Sequence, residues 1–314
     1  MDFPRLTVFQ TVAQHASFSK AAEALHLSQP AVSKHIQLLE TELGVALFLR
    51  LGNRVELTEA GRIVLHYAQR VATLTEETHR VLDELQGLQR GVLRVGASST
   101  PGLYLLPERV AQYQREHPHV EVSLLISNSA SVSQQLIHGE IDIGFVGMPL
   151  QDVAGLQARP FAEDEVVLIV PPDHALMQQR TFTPSLFARE TLVVRERGSG
   201  TRQIVEAETT RLGLKPARIM ELTGCEAVKR AVVAGLGLAF VSRRTVTLEA
   251  ACGLVRLPEI AGLRFPRQLY VLTRKDARLS AAALAFLALA VKMENAARTT
   301  PNAPYTLPPA SPSR

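Results

Sequence analysis

Residues 27–48 read LSQPAVSKHIQLLETELGVALF, and this stretch decides the fold of the first part of the chain. Ser28 stands where a helix N-cap is favoured, and Pro30 falls in the first turn, where a missing N–H costs nothing. At 100° per residue, Val32, Ile36, Leu39 and Leu43 share an arc of about 60°. Gln29, Ser33, Gln37 and Lys34 spread over the adjoining surface from about 0° to 140°. The first carboxylate, Glu40, arrives only about three turns along, so the leading end suits a polyanion. Gly44 supplies the stop. Leu38 lies outside the apolar arc.

Upstream, Leu6, Phe9 and Ala13 recur at helical spacing. Ser17 or Ser19 caps a second helix carrying Ala21, Ala22 and Leu25, and "HLS" breaks the chain before Ser28. Downstream, "LGN" reads as a hairpin tip between Leu47–Leu51 and Val55–Leu57, flanked by Arg50 and Arg54. A capped helix set across a short preceding one, and exposing amides, a hydroxyl and an ammonium, suits the DNA major groove. Gln pairs bidentately with adenine, Ser reaches bases or phosphates, and Lys neutralises phosphate or reads guanine. A basic hairpin lays its guanidiniums on the backbone or the minor groove. One amphipathic helix alone reads as an ordinary solvated face; four such features in series do not.

Charge placement, not bulk field, must do this work. Residues 1–90 hold nine Lys plus Arg against ten Asp plus Glu, so the +4 of the chain resides in residues 91–314, which carry +5. The length of 314 residues implies more than one domain. No apolar run approaches the roughly 18 residues of a membrane span, and no leader-like segment opens the chain. Only Cys225 and Cys252 are present, which excludes a disulfide framework and favours a reducing cytoplasm with two inert thiols.

From Thr58, a proline-free stretch places Val64, Tyr67, Val71, Leu74, Thr78, Val81, Leu85 and Leu88 at alternating +3 and +4 spacing. That is a heptad seam on a rod of about 46 Å, which a thin lone helix cannot bury, so residues 58–90 are expected to pair with a second copy. After Gly91, short apolar strands alternate with helices: "VLRVGA", "VEVSLLI", "DIGFVG", "EVVLIV", "TLVVRE", "ARIMEL", "LAFVS" and "QLYVLT". Eight strands over about 200 residues predict two doubly wound α/β lobes, residues 91–163 with 267–298 and residues 164–266. Val166–Val170 and Leu269–Leu272 are the expected crossovers between them. The proline-rich residues 299–314 read as a disordered tail.

Three of these strands end in turns rich in small and hydroxyl residues, "ASSTPG", "SNSAS" and "RERGSGTR". Such turns present backbone N–H groups and hydroxyls at helix N-termini, and in open α/β sheets they face one cleft. The candidate ligand residues are Ser98, Ser99, Thr100, Asn128, Ser129, Ser199, Thr201 and Arg202, with Thr223 near the mouth.

The string "FSKAAEALHLSQPAVSKHIQLLETELGVALFLRLGNRVELTEAG" resembles the winged helix-turn-helix of LysR-type transcriptional regulators. The resemblance is tight over the first 61 residues, departing at Leu49, where the family often carries a charge. It implies operator contacts for Gln29, Pro30, Ser33, Lys34, Gln37, Arg50 and Arg54. It also implies dimerisation through the linker helix and an effector domain like the periplasmic solute-binding proteins, holding a small, often anionic, inducer; the expected assembly is a dimer or a tetramer of paired dimers, whose effector-driven rearrangement shifts DNA bend and contact with RNA polymerase. "ASSTPGLYLLP" and "RERGSGTR" look most like regulators of sulfur assimilation or carbon fixation, with Arg197 where proline is frequent.

Other classes fit less well. The histidines are scattered, HExxH and CxxC are missing, and "GSGTRQ" lacks the lysine of a P-loop, so neither catalysis nor a metal or cofactor is expected. A solute-binding transport protein would match residues 91–298 alone. A redox-responsive regulator would use Cys225 and Cys252.

Overall fold

The computed structural model describes residues 2–51, 54–85, 91–148, 155–179 and 183–299. The chain divides into two compact units, residues 1–86 and 87–314.

In the first unit, α1 (Phe3–His15), α2 (Phe18–Ala24) and α3 (Gln29–Leu43) precede a hairpin of β1 (Phe48–Leu51) and β2 (Arg54–Leu57) and the long α4 (Glu59–Leu85). Ser17 Oγ accepts from Lys20 N and Ser28 Oγ from Ala31 N, so each caps its helix. Gly44, at φ 70°, ends α3. Between α2 and α3, His26 takes a positive φ of 54°, which turns the chain sharply. Val32, Ile36 and Leu39 bury against Phe9, Val12 and Phe18, and Leu38 stays exposed. Phe48 sets its ring 5.2 Å from that of Phe9, tilted, and 5.8 Å from that of Phe18, edge-on, which anchors the hairpin on the helices. Strands β1 and β2 pair antiparallel, Arg50 opposite Val55 and Leu51 opposite Arg54. The tip, residues 52–53, and the side chains of Arg50 and Arg54 lie outside the described residues.

Helix α4 spans 27 residues, about 40 Å of rod. Its first turns pack on the unit through Ala60, Val64 and Ala68, while Ile63, Tyr67, Val71 and Leu74 remain exposed. The seam beyond this point, Val81 to Leu88, lies outside the described side chains.

The second unit carries one continuous sheet of eight strands. Lobe I contributes β3 (Gly91–Ser98), β4 (Val120–Ser127) and β5 (Ile143–Val146), with α5 (Ser99–Tyr104), α6 (Leu106–Glu116) and α7 (Ser129–His138) between them. The crossover β6 (Leu156–Ile169) then leads into lobe II: β7 (Thr191–Arg195), α8 (Gly200–Arg211), β8 (Arg218–Leu222), α9 (Cys225–Val233), β9 (Leu238–Ser242) and α10 (Thr247–Ala251). The second crossover, β10 (Arg264–Arg274), returns to lobe I, where α11 (Ala281–Thr299) docks. Strand order is β4-β3-β5-β10-β6-β9-β7-β8. Neighbours are parallel within each lobe's outer strands, and the two crossovers pair antiparallel with each other along their length.

Both crossovers are longer than their apolar cores suggest. Strand β6 begins ten residues before Val166, in a run where Gln157, Ala158, Arg159 and Pro160 are exposed. A register shift between Leu269 and Tyr270 leaves Phe161 as the extra residue of β6. Phe161 and Phe286 of α11 both pack edge-on to Phe145 in the lobe I core. In lobe II, apolar clusters cover both sheet faces, one around Phe187, Phe240 and Phe265 and one around Val193, Val228 and Val241. That two-sided burial explains why its strands read as near-continuous apolar runs.

No helix among the described residues is long and apolar enough to cross a membrane, and no cluster of His, Cys, Asp and Glu there can hold a metal ion.

Candidate nucleic-acid interface and effector cleft

The first turns of α3 expose Gln29, Pro30, Lys34 and Gln37, with Ser33 half-buried between them. Gln29 Nε2 donates to Ser33 Oγ at 3.1 Å, one turn apart, so the two side chains present a joined amide–hydroxyl surface. Glu40, the first carboxylate of α3, is turned away: its Oε1 accepts from Leu47 N at 2.7 Å and Phe48 N at 3.3 Å, bracing the hairpin. The leading end of α3 therefore offers donors without a competing anion.

In the second unit, the turns ending β3, β4 and β7 meet around a cleft lined by Ser98, Ser99, Thr100, Asn128, Ser129, Gly147, Arg195, Ser199, Gly200 and Thr201. The cleft is nearly closed: the space open to the centre of a water-sized sphere is about 10 Å³. Seven of the nine residues that the sequence marks are brought together here. The other two are not. Arg202 turns outward, donating to Glu206, Glu221 and the Arg195 carbonyl, so its charge is spent beside the cleft. Thr223 is exposed and does not line the cleft.

Two buried arginines organise the cleft, and the sequence reading passed over both. Arg267, on β10, donates through Nε to Asp164 Oδ2 at 2.7 Å, through Nη1 to Thr201 Oγ1 at 2.9 Å and through Nη2 to Thr100 Oγ1 at 3.1 Å. One guanidinium thus ties the crossover pair to a hydroxyl from each lobe. Arg195, at the end of β7, reaches Ser99 Oγ at 3.1 Å while both its Nε and Nη2 engage Glu196. Burial pushes the Glu196 carboxyl up, but Arg195 and the Gly224 N–H outweigh it and hold the group at about 2. Burial likewise lowers the Arg267 guanidinium from its usual range, opposed by Asp164.

The hydroxyls share one polarity. Ser98 accepts from Gly147 N, Ser99 from Arg195, Thr100 and Thr201 from Arg267, and Ser199 from Arg202 N. Each spends acceptor capacity on the protein and keeps its O–H proton to donate. Ser129 Oγ, at the N-terminus of α7 and 1% exposed, has no hydrogen-bond partner among the described residues. With both arginines already paired to carboxylates, the cleft is rich in donors yet close to neutral in fixed charge.

The lobes touch across it. Asn128 Nδ2 donates to the Arg197 carbonyl at 3.4 Å and Ala130 N to the Gly198 carbonyl at 3.1 Å. Gly198 adopts φ +87°, and a Cβ on Gly200 would fall 2.8 Å from Met148 N, so both glycines are required for this approach.

Residues 3–62 match the bacterial regulatory helix-turn-helix of the LysR family, and residues 86–294 match the LysR substrate-binding domain. A RuBisCO operon transcriptional regulator of Allochromatium vinosum is 41% identical over 282 residues, covering 90% of this chain and 93% of that one. The CcmR regulatory domain of Synechocystis PCC6803, solved in complex with 2-PG, is 27% identical with a TM-score of 0.61, over 65% of this chain and 98% of that one. Full-length CbnR complexed with target DNA is 25% identical with a TM-score of 0.67, over 94% of this chain and all of that one. Of the two subfamilies that the effector-domain strings resemble, the Allochromatium relative by its name represents the carbon-fixation side. The chain belongs to the LysR family: it is a DNA-binding transcriptional regulator with an effector-binding domain, not an enzyme.

Proposed function

We propose that this regulator binds dyad-symmetric operator DNA as a dimer, or as a tetramer of paired dimers, in the cytoplasm. A small anionic metabolite in the Ser98–Thr201 cleft then adjusts how RNA polymerase meets the bound complex. The observation that carries the effector reading is the common polarity of the cleft hydroxyls, joined by the unpartnered Ser129 Oγ. Oxygens of a carboxylate or phosphate group accept what these groups donate. Gln29, Pro30, Ser33, Lys34, Gln37, Arg50 and Arg54 are assigned to DNA; Ser98, Ser99, Thr100, Asn128, Ser129, Ser199 and Thr201 to the effector. The exposed stripe Ile63, Tyr67, Val71 and Leu74 supports pairing through α4, since such an apolar surface is costly in water.

The ligand bound by the CcmR domain and the name of the Allochromatium relative favour a phosphorylated acid and a carbon-fixation operon. Titration calorimetry of the full chain with 2-PG and with inorganic phosphate tests this. Saturable binding of 2-PG that alters operator affinity is expected; no heat with either anion contradicts the effector class. The cysteine-based reading gains no support from geometry, because Cys225 is buried and burial pushes its thiol up, away from the reactive thiolate.

A further inference from the structure

Helix α5 is fastened to lobe II at both ends. At its start, Ser99 Oγ accepts from Arg195 of β7. At its end, the Tyr104 hydroxyl donates to the Glu226 carboxylate and accepts from Lys229 Nζ at 2.6 Å, both on α9. Lys229 is 3% exposed; its Nζ also donates to the Thr245 carbonyl and Glu249, each at 2.7 Å, and lies 2.9 Å from Glu226 Oε1. Its ammonium also lies 5.2 Å from the centre of the Tyr104 ring. The two fastenings are joined on the lobe II side, where Arg195 holds Glu196 and Glu196 accepts from Gly224 N, one residue before α9 begins. The two fastenings therefore converge on the start of α9, one at the Gly224 N–H and the other at Glu226 and Lys229.

We propose that Tyr104, Glu226 and Lys229 form a latch that clamps the far end of α5 to lobe II and sets how readily the lobes part around the cleft. None of the three lines the cleft, so they position the lobes without touching the effector. Burial keeps the Tyr104 phenol well above its usual range, so it stays a donor to Glu226. Contacts with Glu249, Tyr104 and Glu226 raise the Lys229 ammonium despite its burial. The triangle of ammonium, phenol and carboxylate thus keeps its polarity at neutral pH.

Cys225 gives the latch a native reporter: it is 5% exposed, and its Sγ lies 3.8 Å from Glu226 Oε1. Labelling of Cys225 by N-ethylmaleimide in full-length Cys252→Ala protein, followed by mass, reads opening directly. Tyr104→Phe and Tyr104→Leu, which leave the Glu226 carboxylate beside the thiol in place, are each expected to speed labelling about tenfold, the effect of one hydrogen bond to a charged group. Tyr113→Phe, which removes a lobe I hydrogen bond to the Ala282 carbonyl, is the control and should leave the rate unchanged. Equal rates in parent and latch variants, or equal acceleration by the control, would overturn the latch. The inference rests on the effector reading only in a second arm, protection by inorganic phosphate or 2-PG. Faster labelling of the latch variants without protection by either anion supports the latch and counts against the cleft assignment alone.

Discussion

Asp164 and Arg267 face each other as register partners on the two antiparallel crossover strands, 103 residues apart in sequence, with both side chains buried and joined at 2.6–2.7 Å. The same guanidinium grips Thr100 of lobe I and Thr201 of lobe II. The pair therefore sits where the lobes are hinged and where they meet around the cleft.

Arg267→Met should leave Asp164 as an uncompensated buried charge and destabilise the effector unit by about 3–5 kcal/mol. Denaturant unfolding measures it. The double variant Asp164→Asn with Arg267→Met should cost less than the sum of the single changes, because the partners act as one unit.

Glu196 dictates an acid limb. Its folded value, about 2, lies below the 4.5 of a free glutamate, so its contribution to stability is present above about pH 4.5 and is lost as pH falls toward 2. The shift corresponds to about 3 kcal/mol at most for this largely buried carboxylate. Glu196→Gln should flatten the fall in stability over that window in acid-unfolding curves while lowering stability at neutral pH.

Ser129→Ala separates ligand binding from folding. Its hydroxyl is buried without a partner, so removing it should leave stability unchanged or raise it by about 1 kcal/mol. The same change should weaken binding of 2-PG severalfold. A drop in melting temperature would mean that the hydroxyl serves the fold instead.

On DNA, replacing Gln29 and Gln37 by alanine should relax base preference, since side-chain amides read base edges. Arg54→Ala should weaken binding to all sequences alike and reduce the salt slope by about 1. Binding isotherms at several salt concentrations, on matched and mismatched duplexes, distinguish the two effects.

Much of this was legible before the fold. Ser28, Pro30 and Gly44 mark the bounds of α3 through local chemistry, and the hydroxyl turns announce helix N-termini within a few residues. The two central arginines were not, because a charged residue at a strand end ordinarily faces water. Arg267 is buried only because Asp164 reaches it from a strand 103 residues away. Arg202 misled in the opposite sense: it sits in a hydroxyl turn, yet Glu206 one turn on and Glu221 of the neighbouring strand draw it outward. The start of β6 escaped because exposed Gln157, Arg159 and Pro160 break the apolar pattern that marked its second half.

The most direct measurement of the central claim is selection of duplexes from a random pool by the full-length protein at moderate salt, read by sequencing. The account predicts enrichment of a dyad-symmetric site whose half-sites are spaced by about one helical turn or a multiple of it, as two recognition helices on paired α4 rods require. Recovery of duplexes with no shared sequence, or of single unpaired half-sites, would contradict it.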